Sequence, residues 1–131
     1  MQLRRIYWTT FIFVILTGLF IVKGVSAEEA VKPSTVIEVH IPKGADKFEP
    51  ALLKIKAGDT VKWVNDDDRK HVIASIPGKG TNDKELFAPQ IVPGNSWSHT
   101  FTKSGEYPYF CYIHYVMMGA VVVEEAPGQA K

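Results

Sequence analysis

The chain has 131 residues, 15 Lys+Arg against 14 Asp+Glu, and a single cysteine. That length holds one domain with a modest core. The near-even charge, with no basic patch, excludes a nucleic-acid surface, and one cysteine excludes a disulfide within the chain.

The chain opens on Arg4 and Arg5, followed by an apolar run from Ile6 to Val22 that only Thr9, Thr10, Thr17 and Gly18 interrupt. Val25 and Ala27 then fit a secretory cleavage pattern, with the cut after Ala27. Residues 1–27 therefore read as a signal peptide. The run is long for a signal and slightly short for a spanning helix, so an uncleaved membrane anchor is the alternative. Either way the remainder is exported, to a periplasmic or other extracytoplasmic compartment. Loss of Arg4, Arg5 and Lys23 leaves 12 Lys+Arg against 14 Asp+Glu, a formal charge of −2. Such a compartment is oxidising. A lone thiol there is exposed to oxidation unless it is buried or bound to a metal.

Residues 28–33 read as a linker, 34–125 as the domain and 126–131 as a tail. Within the domain, strand signals recur and no segment has the period of a long amphipathic helix. Ile37, Val39 and Ile41 alternate with Glu38 and His40, a period of two. Leu53 and Ile55 alternate with Lys54 and Lys56 before the turn Ala57-Gly58-Asp59, and Val61 and Trp63 follow in the same way. His71–Ser75 is a short predicted strand. The segment from Ile76 to Asn95, with Pro77, Gly78, Gly80, Pro89, Pro93 and Gly94, predicts a loop with one short strand or turn near Phe87. Trp97, His99 and Phe101 share a face. After the turn Lys103-Ser104-Gly105, so do Tyr107, Tyr109 and Cys111, and Val121 and Val123 close the domain. Short strands between Gly, Pro and Asp turns predict an all-β sandwich or barrel.

The chemistry gathers in Tyr107-Pro-Tyr-Phe-Cys111-Tyr-Ile-His114-Tyr-Val-Met117-Met118-Gly119. Taken singly, a Cys is usually a small buried hydrophobe and a Met core filler. Together, a thiolate, an imidazole and a thioether in one short loop are the donors of an electron-transfer copper site, once a second imidazole joins them. A Cys–His pair also suits a nucleophilic thiol, but that chemistry has no use for the methionine. His71, directly after Asn65-Asp-Asp-Asp-Arg-Lys70, is the candidate for the second imidazole. His40 falls on the solvent face with Glu38, and His99 reads as core edge. Asp66 to Asp68 lack the spaced oxygens and distal Glu of a calcium loop and read as a solvated turn. Asn65 is both a turn former and a candidate to hold the thiolate from outside the ligand shell.

From about Phe48 to Glu124 the chain resembles the cupredoxins, the type 1 blue copper proteins. The resemblance rests on Ala57-Gly-Asp-Thr-Val-Lys-Trp63-Val-Asn65, Asp68 to His71, Pro93-Gly94, Phe101, and Gly105-Glu-Tyr107-Pro-Tyr109-Phe-Cys111. The spacing Cys111-x2-His114-x2-Met117-x-Gly119 is similar to the short ligand loop of amicyanin; plastocyanin and pseudoazurin have two more residues between His and Met. The resemblance implies a Greek-key β-sandwich holding one type 1 copper ion, with His71, Cys111, His114 and Met117 as its ligands. Tyr112, Ile113, Tyr115 and Val116 stand where amicyanin-like loops usually carry prolines. Met118 would give an azurin-like His-x3-Met spacing, and the Met117-x-Gly119 pattern favours Met117.

The implied function is one-electron transfer, with redox partner proteins docking near His114 against an apolar rim of Ile113, Tyr115 and Val116. The protein is expected to be a monomer that meets the membrane only if its leader stays uncleaved. A protein that buffers or delivers copper would use the same four ligands, but it should carry Met- or His-rich tracts. An oxidase or nitrite reductase would need a second copper centre, and only His40 and His99 remain for one. The chain is therefore read as no enzyme.

Overall fold

The structure, a computed structural model, describes residues 34–81 and 84–126. The leader, the 28–33 linker and all of the tail beyond Ala126 lie outside the described residues. Among the described residues seven strands form two sheets: β1 Val36–Ile41, β2 Leu52–Lys56, β3 Thr60–Asn65, β4 Ile73–Ser75, β5 Ser96–Thr100, β6 Gly105–Cys111 and β7 Met118–Glu124. One sheet has the order β1-β3-β5 and the other β2-β7-β6-β4. β1 runs parallel to β3, and β2 parallel to β7; the remaining pairs are antiparallel. Among the described residues there is no helix. The fold is the expected all-β Greek-key sandwich.

The period of two decides which side chains enter the core. In β3, Val61, Trp63 and Asn65 point inward, and in β6 Tyr107, Tyr109 and Cys111 do so. The sheets meet through aromatic rings. Trp63 stands edge-on to Tyr109 with centroids 5.5 Å apart, and Phe48 packs on the same ring at 4.9 Å. Phe101 meets Tyr107 at 4.9 Å. These rings anchor β6, and Cys111 is the last residue of that strand.

One reading of the chain changes in detail. The strand predicted at His71 begins at Ile73, because its ladder partner β6 ends at Cys111, which faces Ile73. The backbone of His71 instead forms a separate antiparallel bridge to Ile91, with hydrogen bonds of 3.1 and 2.8 Å. The loop from Ile76 to Asn95 does carry the short strand-like contact near Phe87, which bridges Ala74. His40 lies on the solvent side with Glu38, and His99 is half-buried between Trp97 and Phe101.

Candidate metal centre

Cys111 ends β6, and β7 begins at Met118. The six residues between them form a tight loop closed on itself. Cys111 N–H donates to the Met117 carbonyl, and Met117 N–H donates to the His114 carbonyl, both at 3.0 Å. Tyr112 N–H donates to the Val72 carbonyl at 2.9 Å, which ties the loop to the segment carrying His71. Backbone hydrogen bonds thus fix a loop that has no proline to stiffen it.

The result is a convergence of three donor atoms. Cys111 Sγ lies 3.6 Å from His71 Nδ1 and 3.6 Å from His114 Nδ1, and the two Nδ1 atoms are 3.2 Å apart. This is the one group of metal-ligating side chains of its kind among the described residues. His71 and Cys111 are fully buried and His114 is half-exposed. Burial pulls the pKa of His71 below the ordinary histidine value, and the nearness of His114 adds to the effect, while Asp67 opposes it. A neutral imidazole with a free Nδ1 lone pair is the form a metal takes. A soft thiolate with two imidazoles fits copper chemistry. Met117, the next side chain of the loop with a soft donor, is 0% exposed, whereas Met118 is 61% exposed.

The other histidines are engaged elsewhere. His40 Nδ1 meets Asp66 Oδ2 at 2.6 Å, and His99 Nε2 meets Glu85 Oε1 at 2.8 Å.

The Asp66–Asp68 run is not the uniformly solvated turn that its composition suggests. Asp66 and Asp68 have half-exposed or more exposed side chains, but that of Asp67 is fully buried. Its carboxylate accepts four hydrogen bonds. Gly44 N–H and Asp68 N–H reach Oδ1 at 3.0 and 2.9 Å; His71 Nε2 and Arg69 Nε reach Oδ2 at 3.0 and 2.9 Å. The Gly44 N–H above all, with His71, Asp68 and Arg69, holds this carboxyl well below the usual range against the opposing effect of burial. Composition hid Asp67, since three adjacent aspartates look solvated. The available signal was its position four residues before His71.

Asn65 serves as a clamp for this turn. Its side-chain N–H groups donate to the carbonyls of Arg69 and Ile91, each at 2.8 Å, and its Oδ1 accepts from Asp67 N–H at 3.0 Å. With both ends of the amide so engaged, the turn-forming role of Asn65 is the one observed.

Comparison with known proteins bears on the same residues. The family model for copper binding proteins of the plastocyanin/azurin family matches residues 35–124. Amicyanin of Paracoccus denitrificans is 37% identical over 78 residues, covering 60% of this chain and 59% of its own length. Amicyanin-alpha of Methylorubrum extorquens is 36% identical over 100 residues, covering 75% of this chain and 82% of its own. Among solved structures, a purple cupredoxin from Nitrosopumilus maritimus superposes with a TM-score of 0.61 at 32% identity, over 66% of this chain and 98% of that one. A variant of amicyanin in the Cu(I) form gives 0.60 at 35% identity, over 68% and 82%. The family match and the donor set together support one type 1 copper ion as the cofactor, and the chain belongs to the plastocyanin/azurin family of copper-binding proteins.

Proposed function

We propose that this protein is an exported one-electron carrier whose copper is held by His71, Cys111, His114 and Met117. The observation that carries the reading is the meeting of Cys111 Sγ with the Nδ1 atoms of His71 and His114, all within 4.8 Å of one another. Bound there, copper supplies a one-electron couple between Cu(I) and Cu(II). The protein's part is to keep the donors in place through both states. Strand β6 carries Cys111, and the bridge to Ile91 holds His71 from a different segment. The hydrogen-bonded loop sets His114 and Met117. The sandwich thereby fixes the donor geometry. Full burial of Met117 supports it as the weak fourth donor.

His114 is the half-exposed member of the set, which makes it the electron port in this reading. Ile113, Tyr115 and Val116 around it are exposed. A small apolar rim suits weak, quickly reversed docking of a redox partner, an encounter that typically buries less than ~1,200 Å². Export rests on the leader at residues 1–27, and the working form is a monomer. Titrating the copper-free protein with Cu(II) while recording the visible spectrum tests the reading. One equivalent should generate an intense charge-transfer band, and a colourless stoichiometric complex would overturn it.

A further inference from the structure

Asp67 stands behind the candidate copper ligand His71 in a way that no solvent-facing role explains. Its side chain is fully buried and its four hydrogen bonds come from three stretches of chain: Gly44 in the β1–β2 connection, Asp68 and Arg69 in its own turn, and His71. Arg69 is itself anchored, donating through Nη2 to Asp46 at 2.8 Å. Asn65 locks the turn from beneath. The carboxylate therefore cannot swing away from the imidazole.

We propose that Asp67 is a positioning residue that fixes the tautomer of His71 and strengthens its Nδ1 donor, and so lowers the reduction potential of the bound copper. The inference rests on the ligand set proposed above. With the Nε2 proton committed to Asp67, Nδ1 is the atom left with a lone pair, and it is Nδ1 that faces Cys111 and His114. A hydrogen bond to an ionised acceptor is about twice as strong as a neutral one. It draws the Nε2 proton toward oxygen, gives the ring imidazolate character and raises its basicity as a ligand. A more basic imidazole favours Cu(II) over Cu(I). Arg69 shares Oδ2 with His71, so its guanidinium competes for the same charge and tempers the effect. The two residues should act on the potential with opposite signs.

The test compares midpoint potentials and visible spectra of copper-loaded wild type, Asp67→Asn and Arg69→Leu. Asp66→Asn, Asp68→Asn and Lys70→Leu serve as matched charge changes at exposed neighbours. Nitrogen-15 NMR of copper-free wild type reads the His71 tautomer. We expect Asp67→Asn to raise the potential more than Asp66→Asn or Asp68→Asn does. Arg69→Leu should lower it more than Lys70→Leu does. His71 should be protonated at Nε2, with a slowly exchanging proton. A shift for Asp67→Asn no larger than its controls, with the visible band intact, overturns the role of Asp67 alone; so does a His71 protonated at Nδ1 only. A wild type without the band overturns the ligand set and this inference with it. If Asp67→Asn does not fold, the Arg69→Leu shift and the tautomer decide: a shift no larger than that of Lys70→Leu overturns the proposal.

Discussion

Met117 and Met118 are adjacent in the chain and opposite in environment: Met117 is fully buried in the loop that follows β6, while Met118 opens β7 with 61% of its surface exposed. The backbone explains the split. Met117 is tied at both ends, its N–H to His114 and its carbonyl to Cys111, and strand alternation sends Met118 to the other face. Met117→Leu should therefore keep the colour and raise the reduction potential, because a weak donor favouring Cu(II) is lost. Met118→Leu should leave the potential nearly unchanged. A spectroelectrochemical titration of both variants checks this, and the reverse outcome would mean an azurin-like spacing.

The oxidised copper-loaded protein should be intensely blue, and Cys111→Ser should abolish the colour while leaving weak Cu(II) binding by the two histidines. An absorption spectrum and a copper assay on each protein suffice. A purple protein, matching the colour for which the Nitrosopumilus maritimus relative is named, would indicate a donor balance other than the one proposed.

Docking at the apolar rim predicts that Tyr115→Asp or Val116→Lys slows electron exchange with a redox partner while barely altering spectrum or potential. Stopped-flow rate constants at two ionic strengths measure it. If rates are insensitive to these charges and instead fall when the exposed Asp66 and Asp68 are neutralised, docking is electrostatic and lies elsewhere.

Gly119 has a structural reason to be glycine. A Cβ there would run into the ring and hydroxyl of Tyr109, and that ring is locked by Trp63 and Phe48. Gly119→Ala should cost about 1–3 kcal/mol, the usual range for overpacking. Tyr109→Phe should be neutral to stabilising, since among the described residues no hydrogen-bond partner lies in range of the buried Tyr109 hydroxyl and removing such a group relieves a desolvation cost of about 1–3 kcal/mol. Urea unfolding of the copper-free variants gives both values.

Acid should weaken the copper-free fold partly through Asp67. Its folded pKa is depressed, so its contribution is complete above the unfolded carboxylate pKa of about 4 and is lost as pH falls toward the folded value. The stability gap between wild type and Asp67→Asn should be widest near neutrality and shrink below about pH 4. A gap that stays constant from pH 7 to pH 3 would contradict this.

Much of the fold is legible in alternation alone. Val61 and Trp63, or Tyr107, Tyr109 and Cys111, declare a buried face because side chains on a strand alternate, and the loop spacing brings Cys111, His114 and Met117 under suspicion together. His71 is legible as a candidate by elimination, since His40 and His99 fall on other faces. What composition conceals is the support behind it. The burial of Asp67 depends on Gly44, more than twenty positions away, and the start of β4 depends on where β6 ends. Local patterns carry neither relation, because both are set by contacts between segments distant in sequence.

Strand β4 has only three residues and lies at the border of its sheet, where unpaired backbone groups would template another chain. That border is occupied. Ser75 N–H donates to Leu86 O at 2.9 Å, Ala88 N–H to Ile73 O at 2.8 Å, and Leu86 N–H to the Ser75 hydroxyl at 2.9 Å. The irregular stretch Leu86–Ala88 thus caps the strand that pairs with Cys111. An electron carrier of the kind proposed above must meet other proteins repeatedly and let each one go. Closing this edge with its own chain removes a route by which brief encounters beside the site would harden into strand-to-strand aggregates.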